Sequence, residues 1–181
     1  MLDALKIRLA QETALKAVRE RTVDPAPPRP RDRTVLVVLP QEEEEVRIAW
    51  KLVKAIDAPR GRVMPVSLHG RVPYVPDAFA GAVFQVEESK MDWRGLPKKV
   101  VSDAVWTRRP NVALDLSSSF DLAAAYLVGG SSAVLRVALH HPQAEPFYDF
   151  LIAPTHGYRV AVGALRHYLA ALDPPALAFS D

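Results

Sequence analysis

The chain has 181 residues, of which 49% are hydrophobic and 24% charged, with a formal net charge of +2 and no cysteine. This composition fits a single globular domain with one core, and the missing cysteine excludes disulfides, a thiolate nucleophile, iron–sulfur clusters and cysteine-ligated zinc. No stretch approaches the ~20 uninterrupted apolar residues of a membrane span. Charged residues interrupt the amino-terminal segment, which therefore lacks the apolar centre of a secretion signal. The sequence therefore predicts a soluble, cytoplasmic protein without a membrane span.

The small positive charge is concentrated at the amino terminus. Residues 1–33 carry eight Lys/Arg and five Asp/Glu, whereas residues 34–181 carry 15 and 16. A nucleic-acid surface usually clusters positive charge on one folded face, and this distribution does not, so no nucleic-acid partner is predicted. Salt-dependent binding of an acidic partner through the amino-terminal arm is an open alternative.

This arm begins with a predicted amphipathic helix over residues 1–22. Leu2, Leu5 and Leu9 recur at helical spacing and are its predicted interaction residues. Residues 23–33 include four prolines in six positions, which favours an extended, semi-rigid tether. The helix either docks back on its own domain or contacts a protein partner or a second copy.

Residues 34–173 are predicted to form one α/β domain, followed by a frayed tail at 174–181. Apolar β-branched runs alternate with segments of helical periodicity. This alternation indicates a three-layer α/β sandwich with a mostly parallel, Rossmann-like sheet of about six strands, preceded by the amino-terminal helix. Strands are expected at 34–39, 62–68, 82–86, 112–116, 133–139 and 150–152, and further helices at 41–57, 98–108, 120–128 and 156–172.

The turn after the first predicted strand argues against a nucleotide cofactor. Phosphate-binding folds place glycines at this turn so that the backbone approaches the anion. Here Pro40 and Gln41 are followed by four glutamates at 42–45. These carboxylates suit the positive end of the next helix and would repel a pyrophosphate. No cofactor is predicted.

The serine-rich turn after the fourth predicted strand is the better candidate for a ligand site. Ligands of open parallel sheets bind beyond the carboxyl ends of the strands where the strand order reverses, which in a Rossmann-like order is between the first and fourth strands. Hydroxyls and free amides there would hold a phosphate or a sugar hydroxyl. The alternative is that Ser118 or Ser119 only caps the next helix. The predicted ligand-binding residues are Gln41, Ser117, Ser118, Ser119 and His140.

Catalytic signatures are missing from the sequence. A Ser/His/Asp set of Ser119, His140 and Asp115 lacks the Gly-x-Ser-x-Gly elbow that presents a strained nucleophile. The pair His140 and His141 lacks the helical spacing of zinc motifs. No catalytic residue and no metal site are predicted, and the sequence favours a protein without catalytic activity.

The loop at residues 92–97 holds an aromatic residue and an arginine before a predicted helix. Trp93 and Arg94 are residue types that anchor protein interfaces when exposed, so both are predicted interaction residues. The alternative is that Trp93 folds inward and the glycine and proline after it form a simple turn.

Three segments together resemble a family of small bacterial proteins of unknown function. Residues 92–97 (DWRGLP) match a D-W-x-G-x-P loop, residues 111–117 (NVALDLS) an I-D-L-S strand end, and residues 147–152 (FYDFLI) a Y-D-L-M-I segment, in the same order. That family in turn resembles the amino-terminal, acceptor-side Rossmann-like half of heptosyltransferase-type (GT-B) glycosyltransferases.

The resemblance implies a Rossmann-like fold in which residues 115–118 stand at the place of the enzymes' D-L-Q-G turn. The Gly-Asp turn that carries the enzymes' catalytic base reads Pro40, Gln41 and Glu42 here. No nucleotide-sugar half is expected within 181 residues. The resemblance therefore supports the fold and weakens the case for catalysis.

Two functions fit these observations. The first is a non-catalytic interaction or regulatory module that contacts a partner through its amino-terminal helix. The alternative is a binder of a phosphorylated sugar or nucleotide-type ligand, with glycosyltransferase-like ancestry, at the loop after the fourth strand.

Overall fold

The computed structural model describes residues 2–23, 34–57, 63–70 and 83–172. The predicted tether beyond Val23 and the predicted tail at 174–181 lie outside the described residues. The described chain forms a three-layer α/β sandwich around one six-stranded sheet. Among its helices, none is long and apolar enough to cross a bilayer.

The elements are α1 Leu2–Glu20, β1 Val35–Val38, α2 Glu43–Asp57, β2 Val63–Leu68, β3 Phe84–Val86, α3 Lys99–Trp106, β4 Val112–Asp115, α4 Leu122–Gly129, β5 Leu135–Leu139, β6 Phe150–Ile152 and α5 Tyr158–Leu172. All six strands run parallel in the order β3-β2-β1-β4-β5-β6. In the centre of the sheet, Val38 of β1 lies opposite Val66 of β2 and Asp115 of β4. The predicted Rossmann-like fold with its leading helix is therefore confirmed.

The central strand β1 is buried on both faces, which explains its unbroken apolar sequence. Side chains of a strand alternate between faces. Leu36 and Val38 therefore enter the core layer beneath α1, α3 and α4, and Val35 and Val37 enter the layer beneath α2 and α5.

The amino-terminal helix α1 docks on its own domain, against α4. Ala10 and Ala14 of α1 are fully buried in this contact. A Cβ atom added at Gly129 would lie 2.8 Å from Val18 Cγ2, and one added at Gly130 would lie 2.6 Å from Trp106 Cζ2. Small residues on both partners therefore permit the close approach of the two helices.

We expect Gly130→Ala to lower the free energy of unfolding by about 1–3 kcal/mol, because the new methyl group overlaps a ring that cannot easily move. The indole of Trp106 is held by its own hydrogen bond, in which Nε1 donates to the Leu127 carbonyl at 3.0 Å. Urea denaturation measures the change.

The matched control is Gly163→Ala in α5, where no atom lies within 4 Å of the added Cβ. Alanine is favoured over glycine inside a helix, so this variant should gain about 0.5–1 kcal/mol. Similar changes in the two variants would contradict the tight packing of Gly130 against Trp106 of α3.

Candidate functional site

A cleft opens at the carboxyl end of the sheet, where β1 and β4 lie side by side and the chain leaves them toward opposite edges. This reversal of strand order is where open α/β sheets bind their ligands. The cleft has a volume of about 320 Å³. Its described lining consists of Pro40, Gln41, Glu42, Glu45, His69, Ser117, Ser118, Ser119, Phe120, Asp121 and Leu122.

Four of the five predicted ligand-binding residues come together in this cleft. Gln41 follows β1, and Ser117, Ser118 and Ser119 follow β4. The fifth, His140, is exposed after β5 and is not among the residues that line the cleft. Its backbone nitrogen donates to the Ile152 carbonyl at 2.9 Å, so this part of the chain continues the sheet toward β6.

Asp115 lies beneath the serine loop and is only 5% exposed. Its Oδ2 accepts a hydrogen bond from the Tyr148 hydroxyl at 2.6 Å, and its Oδ1 accepts one from the Ser117 backbone nitrogen at 3.0 Å. Burial raises the pKa of Asp115 to about 6, although the hydrogen bonds from Tyr148 and Ser117 oppose the shift. The carboxyl group thus fixes the start of the serine loop.

A second tyrosine supports the same loop from the opposite layer. Tyr158 of α5 donates its hydroxyl to the Leu116 carbonyl at 2.8 Å. Burial and the neighbouring carboxylates of Glu45 and Asp115 raise the pKa of Tyr158, so its hydroxyl stays a donor. Burial and the Asp115 carboxylate likewise raise the pKa of Tyr148 far above its ordinary value.

The cap of α4 is Asp121, not Ser118 or Ser119. Its Oδ1 accepts from the backbone nitrogens of Ala123 at 2.7 Å and Ala124 at 3.4 Å. The alternative in which a serine only caps the helix is therefore wrong. Both serines are exposed, and their hydroxyls have no partner among the described residues.

His69 is a lining residue that the sequence did not single out. It follows β2 with a left-handed backbone (φ 63°), which is uncommon outside glycine. Its Nε2 lies 3.4 Å from Oδ2 of Asp121, an ion pair only when the imidazole is protonated. With Glu42, Glu45 and Asp121 in the lining, carboxylates dominate the charge of the cleft.

Phe120 lines the cleft and packs on two aromatic residues that are not part of its described lining. The half-buried ring of Phe120 stacks on His141, with ring centres 5.6 Å apart and planes inclined by 23°. On another side it packs against Phe147 at 5.9 Å. These contacts hold Phe120 in place directly after the serine loop. Nowhere in the described chain do three or more His, Asp or Glu side chains form a group that could hold a metal ion.

The predicted interaction residues lie away from this cleft. Leu5 of α1 is 54% exposed, Leu9 is half-buried and Leu2 begins the helix. Trp93 is 66% exposed, so it does not fold inward as the alternative expected. Arg94 is held in place: its Nη2 lies 2.7 Å from Asp92 Oδ2, and its Nη1 donates to Thr13 Oγ1 of α1 at 2.6 Å.

The raised pKa of Asp115 has a measurable consequence for stability. The folded protein binds the Asp115 proton more tightly than the unfolded chain, so the free energy of unfolding should fall as the pH rises from about 4 to about 6. About 2 pKa units correspond to about 3 kcal/mol. Asp115→Asn keeps an acceptor for the Ser117 amide and cannot ionise. Urea denaturation across this pH range should show the variant to be more stable than the wild type above pH 6.

The control for this experiment is Asp3→Asn, which changes an exposed carboxylate at the start of α1. It should retain the wild-type pH dependence. An Asp115→Asn variant that is less stable than the wild type at every pH would contradict the account of Asp115.

Comparison of the chain with protein-family models, with curated proteins and with solved structures finds no match. The motif resemblance to the acceptor-side half of heptosyltransferase-type glycosyltransferases therefore stays a prediction. What the cleft binds has to be argued from the chemistry of its own residues.

Proposed function

We propose that the chain is a binding domain for a small polyhydroxylated ligand, such as a sugar, in the cleft between β1 and β4. The observation that carries this proposal is the pair of exposed serines, Ser118 and Ser119, whose hydroxyls have no partner among the described residues at the reversal point of the sheet. No catalytic role is proposed for either residue.

The groups around the serines suit sugar hydroxyls. The carboxylate of Glu45 and the amide of Gln41 offer acceptors, and the serines both donate and accept. Phe120 and Leu122 add apolar side chains to the lining. The volume of about 320 Å³ lies at the small end of the roughly 300–1,000 Å³ of ligand pockets.

The acidic charge of the cleft favours binding of a ligand through its hydroxyl groups over binding through a phosphate group. The amino end of α4 would ordinarily attract an anion, but Asp121 already occupies its backbone donors. A phosphate in the cleft would also approach Glu42 and Glu45. A sugar ligand agrees with the motif resemblance to sugar-transferring enzymes. Of the phosphorylated sugar considered from the sequence, we propose that the cleft binds the sugar hydroxyls and not the phosphate.

We expect a thermal-shift screen of neutral sugars, sugar phosphates and nucleotide-sugars to give a stabilising neutral sugar. At 100 times its dissociation constant it should add about 2.7 kcal/mol, or several degrees. The double variant Ser118→Ala, Ser119→Ala should lose this shift and keep the melting temperature of the free protein, because neither serine caps α4.

The control is Ser89→Ala, which removes an exposed hydroxyl far from the cleft in sequence. It should respond to the sugar as the wild type does. A shift that survives the double substitution would place the ligand elsewhere, and a flat screen or a preference for sugar phosphates would contradict binding through hydroxyls.

A second candidate function, self-association through α1, is favoured by a separate observation. Leu5 and Ile7 are 54% and 56% exposed in the amino-terminal half of α1. Trp93 is 66% exposed, and its neighbour Arg94 is bonded to Thr13 of the same helix. Exposed aliphatic and tryptophan side chains are the usual anchors of an interface between copies.

This candidate predicts that the wild-type chain forms dimers whose mass light scattering can measure. The double variant Leu5→Ser, Trp93→Ser should be monomeric. Val160→Ser changes an exposed residue of α5 and should remain dimeric. The same monomeric mass for all three proteins would exclude self-association through α1.

A further inference from the structure

A second and larger concavity lies away from the cleft and has a volume of about 1360 Å³. It runs between the carboxyl-terminal half of α1 and helix α3, and it reaches the residues that precede β4 and β5. We call it the α1–α3 groove. Because the strands are parallel, it ends at the amino edge of the sheet, whereas the cleft lies at the carboxyl edge. The proposed sugar site and this groove therefore share no described lining residue.

The α1–α3 groove is strongly basic. Its described lining includes seven Lys or Arg side chains and three Asp or Glu side chains. The formal charge of the whole chain is only +2. Positive charge is thus gathered in this groove to a degree that the composition does not suggest.

The three acidic residues of the groove are already used by three of its basic ones. Lys16 pairs with Glu20 at 3.7 Å, Arg94 with Asp92 at 2.7 Å, and Lys99 with Asp103 at 2.6 Å. The remaining cations are therefore not neutralised from within the groove.

Two of the remaining cations, Arg108 and Arg109, have no side-chain partner among the described residues. Two others make contacts to carbonyl groups: Lys98 Nζ donates to Ser89 at 2.9 Å, and Arg21 Nη1 donates to Ala133 at 2.9 Å. Of these, Arg21 also lies 3.9 Å from Asp149. The guanidinium groups of Arg108 and Arg109 are thus the most available for an anion.

The backbone under Arg108 and Arg109 is fixed. The Thr34 hydroxyl donates to both of their carbonyls, at 3.3 and 3.1 Å, and the Arg109 nitrogen donates to the Trp106 carbonyl at 2.9 Å. Arg109 has a left-handed backbone with φ 47°, a conformation that glycine or asparagine adopts at less cost. Local backbone preference therefore does not explain an arginine at this position.

Apolar side chains lie beside these charges. Val134 of the lining is 57% exposed, and the half-buried indole of Trp106 lies beside Tyr126, with ring centres 5.3 Å apart. A ligand would contact both unpaired guanidinium groups and an apolar surface. The groove also exceeds the roughly 300–1,000 Å³ of small-molecule pockets.

We propose that the α1–α3 groove binds an extended acidic peptide segment of a partner protein. Acidic side chains of the peptide would pair with Arg108 and Arg109, and apolar side chains between them would contact Trp106 and Val134. Such spaced contacts are typical of charge-complementary peptide recognition.

A single-stranded nucleic acid fits the groove less well. Its evenly spaced phosphates would meet the carboxylates of Glu20, Asp92 and Asp103 as well as the cations. Base stacking on successive aromatic side chains supports such complexes, and the described lining of the groove offers only Trp106 and the buried Tyr126.

The chain's own residues 24–33 also fit the groove poorly by charge. The described chain leaves this segment's two ends near the groove, at Val23 and Thr34. The segment contains three arginines and two aspartates, so its charge has the same sign as that of the groove.

The test is a selection of peptides from a random library displayed on phage, with the full-length protein as bait. We expect the selected peptides to be rich in Asp and Glu with intervening apolar residues. In fluorescence anisotropy, the double variant Arg108→Gln, Arg109→Asn should bind the best selected peptide about tenfold more weakly. Asparagine accepts the left-handed backbone of Arg109, so the fold should be retained, and a thermal melt checks this.

The matched control is the double variant Arg47→Gln, Arg159→Gln, which removes the same charge from two exposed arginines of α2 and α5. It should bind the peptide as the wild type does. If both double variants bound the peptide equally weakly, the loss of affinity would come from the lower net charge of the protein and not from the groove. That result would overturn the proposal.

Three further outcomes would also overturn it. These are a selection without acidic enrichment, a selection of basic and Pro-rich peptides similar to residues 24–33, and tighter binding of oligothymidylate than of the selected peptide. The cleft substitutions Ser118→Ala and Ser119→Ala should leave peptide binding unchanged, so this test is independent of the proposed sugar site.

Discussion

The ion pair between Arg136 and Asp149 fixes the residues that support the serine loop. Arg136 of β5 is only 5% exposed, and a buried guanidinium group is tolerated only when its donors are satisfied. Asp149 accepts two side-chain hydrogen bonds from it, at 2.9 and 2.6 Å, and the Gly129 carbonyl accepts a third at 3.2 Å. This fixes the residue before Asp149, so that the Tyr148 hydroxyl reaches Asp115. The serine loop above Asp115 thus depends on a charge pair one strand away.

The pKa values of the two carboxyl groups next to Tyr148, those of Asp149 and Asp115, are shifted in opposite directions. Burial raises the pKa of Asp149, but the hydrogen bonds and charge of Arg136 outweigh it and leave the pKa below its ordinary value. Asp115 has only neutral donors, so burial prevails there and its pKa rises to about 6. One carboxylate is therefore a permanent part of the framework, whereas the other lies under the ligand cleft at a cost that its neighbours only partly offset. Uncompensated burial of this kind is more typical of binding sites than of cores.

The strands and one side of the candidate site could be predicted from the sequence. The features that could not be predicted have physical causes. The run at Val35–Val38 is apolar because a central parallel strand is covered on both faces, and the strand-end rule then located the serines. The same rule misplaced His140, because the cleft extends from β4 toward β1 and β2 and not toward β5. The partnership of Tyr148 with Asp115 spans 33 positions and has no local signal. Which residue caps α4 depends on where the helix begins, and hydrophobic periodicity does not locate a helix start to a single residue. The cap at Asp121 could therefore not be predicted.

Counting charges along the chain also concealed their arrangement in space. Residues 34–181 are nearly neutral in the sequence, which suggested that only the amino-terminal arm is basic. In the fold, Glu42 and Glu45 lie at the carboxyl edge of the sheet, whereas Arg108 and Arg109 lie at its amino edge. The nearly neutral total charge of residues 34–181 therefore conceals an acidic region and a basic region at opposite ends of the strands. Electrostatic attraction acts within about 10 Å at ordinary salt, so a ligand at either edge responds to the local charge and not to the total. This separation of charge underlies both proposals, a neutral, hydroxyl-rich ligand at the carboxyl ends of the strands and an acidic one at their amino ends.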